Sequence, residues 1–194
     1  MGDAARPSQE AQAFDAGDAL RGLSHDELVN FGVMCAKNFF AIDGTWFQAV
    51  ERACGMDEAM EHDREAWRRY TVSEAKRVRA FLGLPERCGL DGLAQALPLK
   101  LTSLAHPVEL RRGEGWIEFR VVACRVQVAR ARKNMPYHPC KSVGLVEYAD
   151  FARTLDDRIT CTCASCYPDV ADETCSCAWR FTLDECAAEG GVCD

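Results

Sequence analysis

The sequence predicts an α+β fold, with an N-terminal helical half packed on a β-β-α-β-β antiparallel-sheet half. Three observations carry that reading. Apolar residues recur at helical spacing from Leu28 to Phe81. The period then changes, so that Ile117, Phe119 and Val121 alternate along one face of 116–123. Finally, a helical stretch over 142–155 is followed by two more alternating runs, 158–163 and 175–183, on either side of a loop.

Taken in order, residues 1–22 are rich in Ala, Asp, Gln and Gly and are expected to form a disordered tail. A helical region over 23–98 follows. It opens on Ser24-His25-Asp26-Glu27, a capping box in which the serine oxygen accepts an orphan backbone N–H and Glu27 reaches back. Asp43-Gly44 predicts an interruption, with Thr45 restarting a short helix that carries Trp46, Val50 and Cys54. Gly55 closes that helix and Asp57 is the expected cap of the next, 58–82, where Met60, Trp67, Tyr70, Val78 and Phe81 form a stripe. Thr71-Val72-Ser73-Glu74 reads as a second capping box and predicts a kink or break near Tyr70. Gly83 and Pro85 mark the stop, and a short helix over 91–97 ends at Pro98.

The α+β region spans 99–183. Residues 99–111 read as an irregular strand interrupted at His106-Pro107, joined by the 112–115 turn to the strand 116–123. Residues 124–133 extend that strand or open a helix, and their arginines and alanines favour helix. A loop with two prolines over 134–139 leads to the 142–155 helix and the final hairpin. Residues 184–194 are expected as a C-terminal tail, and no fixed-period repeat occurs.

A net charge of −7 and a pI near 5.2 argue against nucleic acid, which needs a basic face. The basic stretch 111–133 and the acidic stretch from Asp169 onward are expected to be solvated or to pair with each other. The N-terminus has neither the basic and apolar regions of a secretory signal nor a myristoylation pattern, and no stretch is apolar enough to span a membrane. The expectation is a cytoplasmic protein whose cysteines are thiols.

Those thiols are the main chemical signal. Five of the twelve cysteines fall within residues 161–181, and Cys124 and Cys140 stand at predicted element boundaries. Cys163-Ala164-Ser165-Cys166 has the spacing with which two thiolates grip one ion, and Cys177 with Cys124, Cys140 or His138 would complete a tetrahedral set. Zinc and an iron–sulfur cluster use the same donors, so both stay open. So does plain packing, since free cysteine behaves as a small apolar group; Cys35, Cys54 and Cys88 are read that way. Cys161 and Cys163 are expected on the buried face of one strand, with Cys175 and Cys177 on that of its partner. Cys186 and Cys193 are assigned nothing.

His138 stands two residues from Cys140, and an imidazole beside a thiol is how a cysteine nucleophile is activated. Cys124, Cys140 and His138 are therefore the catalytic candidates. Arg125 and Arg153 are the candidate ligand-binding residues, because a guanidinium fork matches a carboxylate. Glu147, Arg153, Asp156, Asp157 and Arg158 also fit a solvated helix end, and the four tryptophans read as core. No phosphate loop, GxSxG or HExxH occurs.

The blocks Asp43-Gly44-Thr45-Trp46-Phe47-Gln48-Ala49-Val50-Glu51, Cys124-Arg125-Val126-Gln127, Pro139-Cys140-Lys141-Ser142-Val143-Gly144, the run from Phe151 to Ile159, and Cys177-Ala178-Trp179-Arg180-Phe181 resemble an uncharacterised family of small cytosolic proteins of anaerobic bacteria and archaea. That family is distantly similar to L-2-amino-thiazoline-4-carboxylate hydrolases, and its sheet half resembles vinyl-reductase-type small-ligand-binding domains. The resemblance draws attention to Cys124, Arg125, Cys140, Cys163, Cys166 and Cys177, while Cys161 and Cys175 look like additions. Two functions are therefore expected. One is a cysteine-rich protein binding zinc, an iron–sulfur cluster or a small ligand. The other is a hydrolase of a small amino-acid-like compound with a cysteine nucleophile. The expected partners are a metal ion or a small molecule, with no nucleic acid and no membrane; a homodimer is the assembly considered.

Overall fold

The structure, a computed structural model, describes Asp15 and residues 17–184. Of the expected tails, 1–22 and 184–194, residues 1–14, 16 and 185–194, with Cys186 and Cys193, lie outside those residues. After one helical turn, α1 (Asp18–Arg21), come α2 (His25–Cys54), α3 (Met56–Leu82) and α4 (Gly89–Ala96). Strands β1 (Val108–Gly113) and β2 (Trp116–Val121) follow, then α5 (Arg125–Arg132), α6 (Lys141–Leu155), β3 (Ile159–Cys166) and β4 (Cys177–Leu183). The four strands form one antiparallel sheet in the order β1-β2-β4-β3. This is the α+β architecture the hydrophobic periods predict.

Several local expectations give way to tertiary structure. The Ser24–Glu27 capping box forms. However, α2 runs unbroken through Asp43-Gly44, and the Thr45 hydroxyl donates back to Ala41 O at 2.6 Å instead of starting a helix. Gly55 rather than Asp57 stands at the start of α3. No break occurs near Tyr70, because the second capping box is spent on long-range bonds. Thr71 Oγ1 donates to Glu147 O at 2.9 Å, while Glu74 accepts from Lys100 Nζ at 2.9 Å and Leu101 N at 2.6 Å. Phe81, expected in the core stripe, is 81% exposed. The irregular strand begins only at Val108, since residues 97–99 and 103–105 form 3-10 turns.

Helix α6 lies on the inner face of the sheet and against α3. Its contact with the sheet is close: a Cβ on Gly144 would fall 2.3 Å from Trp179 Cζ2, so only glycine lets the indole seat there. Phe119, Phe151, Phe181, Leu155 and Ile117 fill the core between these layers. The outer sheet face is charged. Arg120, almost fully buried, pairs with Asp172 at 2.9 Å and Glu109 at 3.5 Å, and Arg180 with Glu118 at 2.8 Å. The basic and acidic stretches thus do meet there.

Candidate functional site

A cavity of about 580 Å³ opens between the helical half and the sheet, walled by α2, α3, α5, α6 and the ends of β2 and β4. Cys124, Cys140, Cys166 and Cys177 all line it, together with His138, Asp63 and Glu147. Four separate parts of the chain bring these sulfurs to one wall. Cys124 precedes α5, and its amide donates to Ser176 Oγ at 2.8 Å, which ties it to the start of β4. Cys140 caps α6. Cys166 and Cys177 pair across β3 and β4, brought onto one face by a bulge between Cys163 and Ser165.

Cys140 has the most developed surroundings. His138 Nδ1 lies 3.0 Å from its sulfur, and the other ring nitrogen lies 3.4 Å from Asp63 Oδ2 on α3. In the tautomer with its proton on Nε2, facing the Asp63 carboxylate, the imidazole leaves Nδ1 to accept from the thiol. Phe47 packs on the imidazole with ring centroids 4.5 Å apart. Gln127 holds the backbone of His138 from both sides, accepting from its amide at 3.0 Å and donating to its carbonyl at 2.7 Å. The same amide nitrogen of Gln127 is 3.2 Å from Cys140 Sγ. Arg130, buried, pins this loop to α2 through a bidentate pair with Glu51 at 2.7 and 2.8 Å. That pairing lowers the Glu51 carboxyl.

Burial pushes the Cys140 thiol well up, and the neighbouring Cys124 and Cys177 thiols and the Asp63 and Glu147 carboxyls add to the effect. The proton therefore rests on the Cys140 sulfur. Cys124 is pushed up to about 11 by burial, and it is Cys140, not Cys124, that carries the His138 contact. Asp43 is pushed up to about 7, first by burial and then by Asp63 and Glu147. Burial lowers His106, another lining residue, to about 4; its Nδ1 accepts from Arg125 N at 3.2 Å.

The remaining sequence candidates divide. Arg125 lies at the cavity wall with its side chain exposed. Arg153 does not line the cavity; its side chain is 64% exposed and faces Asp150. Cys163 lies farther along β3, off the cavity. Cys175 precedes β4 instead of sharing its inner face, and contacts Asp172 O at 3.9 Å. Glu147 and Asp156 are buried, not solvated. Of the tryptophans, Trp67 and Trp179 are core, whereas Trp46 is 47% exposed and Trp116 stacks under Arg180. Asp63 and the role of Gln127 were missed. Gln127 stands in the Cys124-Arg125-Val126-Gln127 block, but Asp63 carries no local signal, being one of many acids on α3. Among the described residues, no group of three or more His, Cys, Asp or Glu is arranged to hold a metal ion.

The model of one protein family matches residues 21–183, from α1 to the last strand. The chain belongs to that family of unknown function, DUF6125. The matched span covers every residue of the cavity wall described above in this DUF6125 chain. Comparison with curated proteins gives no match.

Proposed function

We propose that the protein is a cytoplasmic cysteine-dependent hydrolase that cleaves a carbon–nitrogen bond in a small amino-acid-like compound. The reading rests on one observation, the Asp63–His138–Cys140 relay at the wall of the cavity. Cys140 Sγ attacks the electrophilic carbon and its proton passes to His138 Nδ1. Asp63 holds the imidazole in the accepting tautomer and stabilises the charge it gains. His138 then hands the proton to the leaving nitrogen, and water hydrolyses the resulting thioester-like intermediate. The Gln127 amide donates toward the developing negative charge, and Arg125 at the wall anchors a carboxylate. The position of Cys140 at the start of a 15-residue helix favours the thiolate as it forms, offsetting part of the cost of burial. The distant likeness to L-2-amino-thiazoline-4-carboxylate hydrolases, and of the sheet half to vinyl-reductase-type ligand-binding domains, rests on the motif blocks alone.

The test is hydrolysis of L-2-amino-thiazoline-4-carboxylate and a panel of small amino-acid amides by reduced protein. Cys140→Ser and His138→Ala are each expected to lose at least about 1,000-fold in kcat/KM. Limited alkylation at neutral pH should mark Cys140 first; uniform slow labelling together with no turnover would remove the proposal.

A second reading is a structural or sensory zinc or iron–sulfur site, suggested by the four cysteines Cys124, Cys140, Cys166 and Cys177 that line the cavity, which would have to draw together to bind an ion. Metal content after purification under reducing conditions decides it. Less than about half an equivalent counts against it, four thiolates being a full tetrahedral set.

A further inference from the structure

We infer that Cys166 and Cys177 form a redox-active dithiol, a second reactive site of the cavity, that exchanges with low-molecular-weight disulfides. The two residues are direct partners across β3 and β4. The Cys166 amide donates away from β4, to Asp169 O at 3.2 Å, so the pair is of the non-hydrogen-bonded antiparallel type. In such pairs the Cα atoms approach to about 4.5 Å and the side chains lie closest. A disulfide spans Cα separations of about 4.4–6.8 Å, so the bond forms here without moving a strand. The neighbouring Cys166 thiol, and then burial, push the Cys177 thiol well up, so its proton leaves only as the exchange proceeds. Neither residue belongs to the Asp63–His138–Cys140 relay.

The cavity gives the two thiols different roles. Cys177 is part-exposed and Cys166 is 1% exposed, so an incoming disulfide meets Cys177 first. Beside Cys177 stands an independent sign of a site. The Trp179 indole N–H, 1% exposed and lining the cavity on the same strand face as Cys177, has no hydrogen-bond partner among the described residues. It is placed to donate to a sulfur that gains charge.

The chemistry balances with the small disulfide RSSR as oxidant. Cys177 loses its proton and attacks one sulfur of RSSR, so that a Cys177–S–S–R bond forms and RS⁻ leaves, taking up the proton. Cys166 then loses its proton and attacks the Cys177 sulfur. The mixed disulfide breaks and the second RS⁻ leaves as RSH. The protein gives up two electrons and two protons, and one RSSR becomes two RSH.

The experiment treats fully reduced, full-length protein with bis(2-hydroxyethyl) disulfide, followed by intact mass and by mapping after cleavage at the aspartates of the 167–175 loop. Wild type is expected to lose two hydrogens, about 2 Da, with Cys166 joined to Cys177. Cys166→Ser should instead retain one hydroxyethylthio group on Cys177, and Cys177→Ser should react at neither position. Cys163→Ser, off the cavity, should behave as wild type. A disulfide linking Cys177 to Cys124 or Cys140, or no mass loss at all, overturns the inference, and the wild-type map decides this even if a variant fails to fold. Cys140→Ser, which abolishes the proposed hydrolysis, should still form the Cys166–Cys177 bond, so the two proposals fail separately.

Discussion

Two groups of buried or half-buried ionisable residues lie side by side in this molecule, and only one of them opens on the cavity as a whole. In the first, Lys100, fully buried, sits 2.9 Å from Glu74 and 3.2 Å from Glu147, with Thr102 and the Leu101 amide completing the carboxylates' bonds. Asp156 is served likewise, accepting from the Gly89 and Arg158 amides and from the Arg158 side chain. The second comprises Asp43, Asp63, His138 and Cys140, where no lysine or arginine among the described residues forms an ion pair with the acids. Burial by itself thus does not mark a candidate site. In the first group each charge meets a partner, and the result is structural. In the second, the groups are held near one another and near empty space, which is what proton transfer to a ligand requires. Glu147 belongs to both, since it pairs with Lys100 and lines the cavity.

The largest expected effect breaks the first group. Lys100→Met strands two carboxylates and should cost about 3–5 kcal/mol in urea unfolding, with part recovered by adding Glu74→Gln. Asp63→Asn tests the second group from the opposite side. Turnover should fall on the order of 100-fold, by misplacing the His138 proton, while the urea midpoint barely moves. A fall in stability matching that of Lys100→Met would erase the distinction. Gly144→Ala attacks the platform under both groups, because its methyl would enter Trp179; about 1–3 kcal/mol of overpacking is expected in the same assay.

The smallest effect, in pH, sharpens the contrast through its sign. Asp43 rises from 3.8 to about 7, so the folded state holds that proton more tightly than the unfolded chain does. Its contribution to stability is present below 3.8, falls as pH rises, and is gone above about 7. Asp156 is lowered to about 2, chiefly by Arg158, and contributes above 3.8, a benefit lost as pH falls through about 2. Thermal midpoints against pH should therefore flatten between about 4 and 7 in Asp43→Asn and only at the acid end in Asp156→Asn.

Much of the fold was legible because its signals are local. The period change at Trp116, the turn before it and the Ser24 cap each act over a few residues, and the β1–β2 hairpin and the start of α2 formed as those signals require. The Thr71–Glu74 box shows where local reading stops. The same side chains satisfy either a helix start or a distant backbone, and proximity to Lys100 and Glu147 decided between them. For the site, Cys140 and His138 were readable because they are two positions apart. The Cys163/Cys166 pair was read as a unit, yet the bulge turned Cys166 to the cavity wall and left Cys163 off it.

The sequence alone determined the layers, the antiparallel hairpins, the acidic balance and an unusual supply of thiols, since each follows from neighbouring residues or from composition. Tertiary structure decided which thiols matter, which acid faces His138 and which carboxylates are neutralised. Those outcomes depend on helix α3 lying across the loop before α6. No residue spacing encodes that, because the partners are tens of positions apart and their attraction exists only once the chain has closed around the cavity.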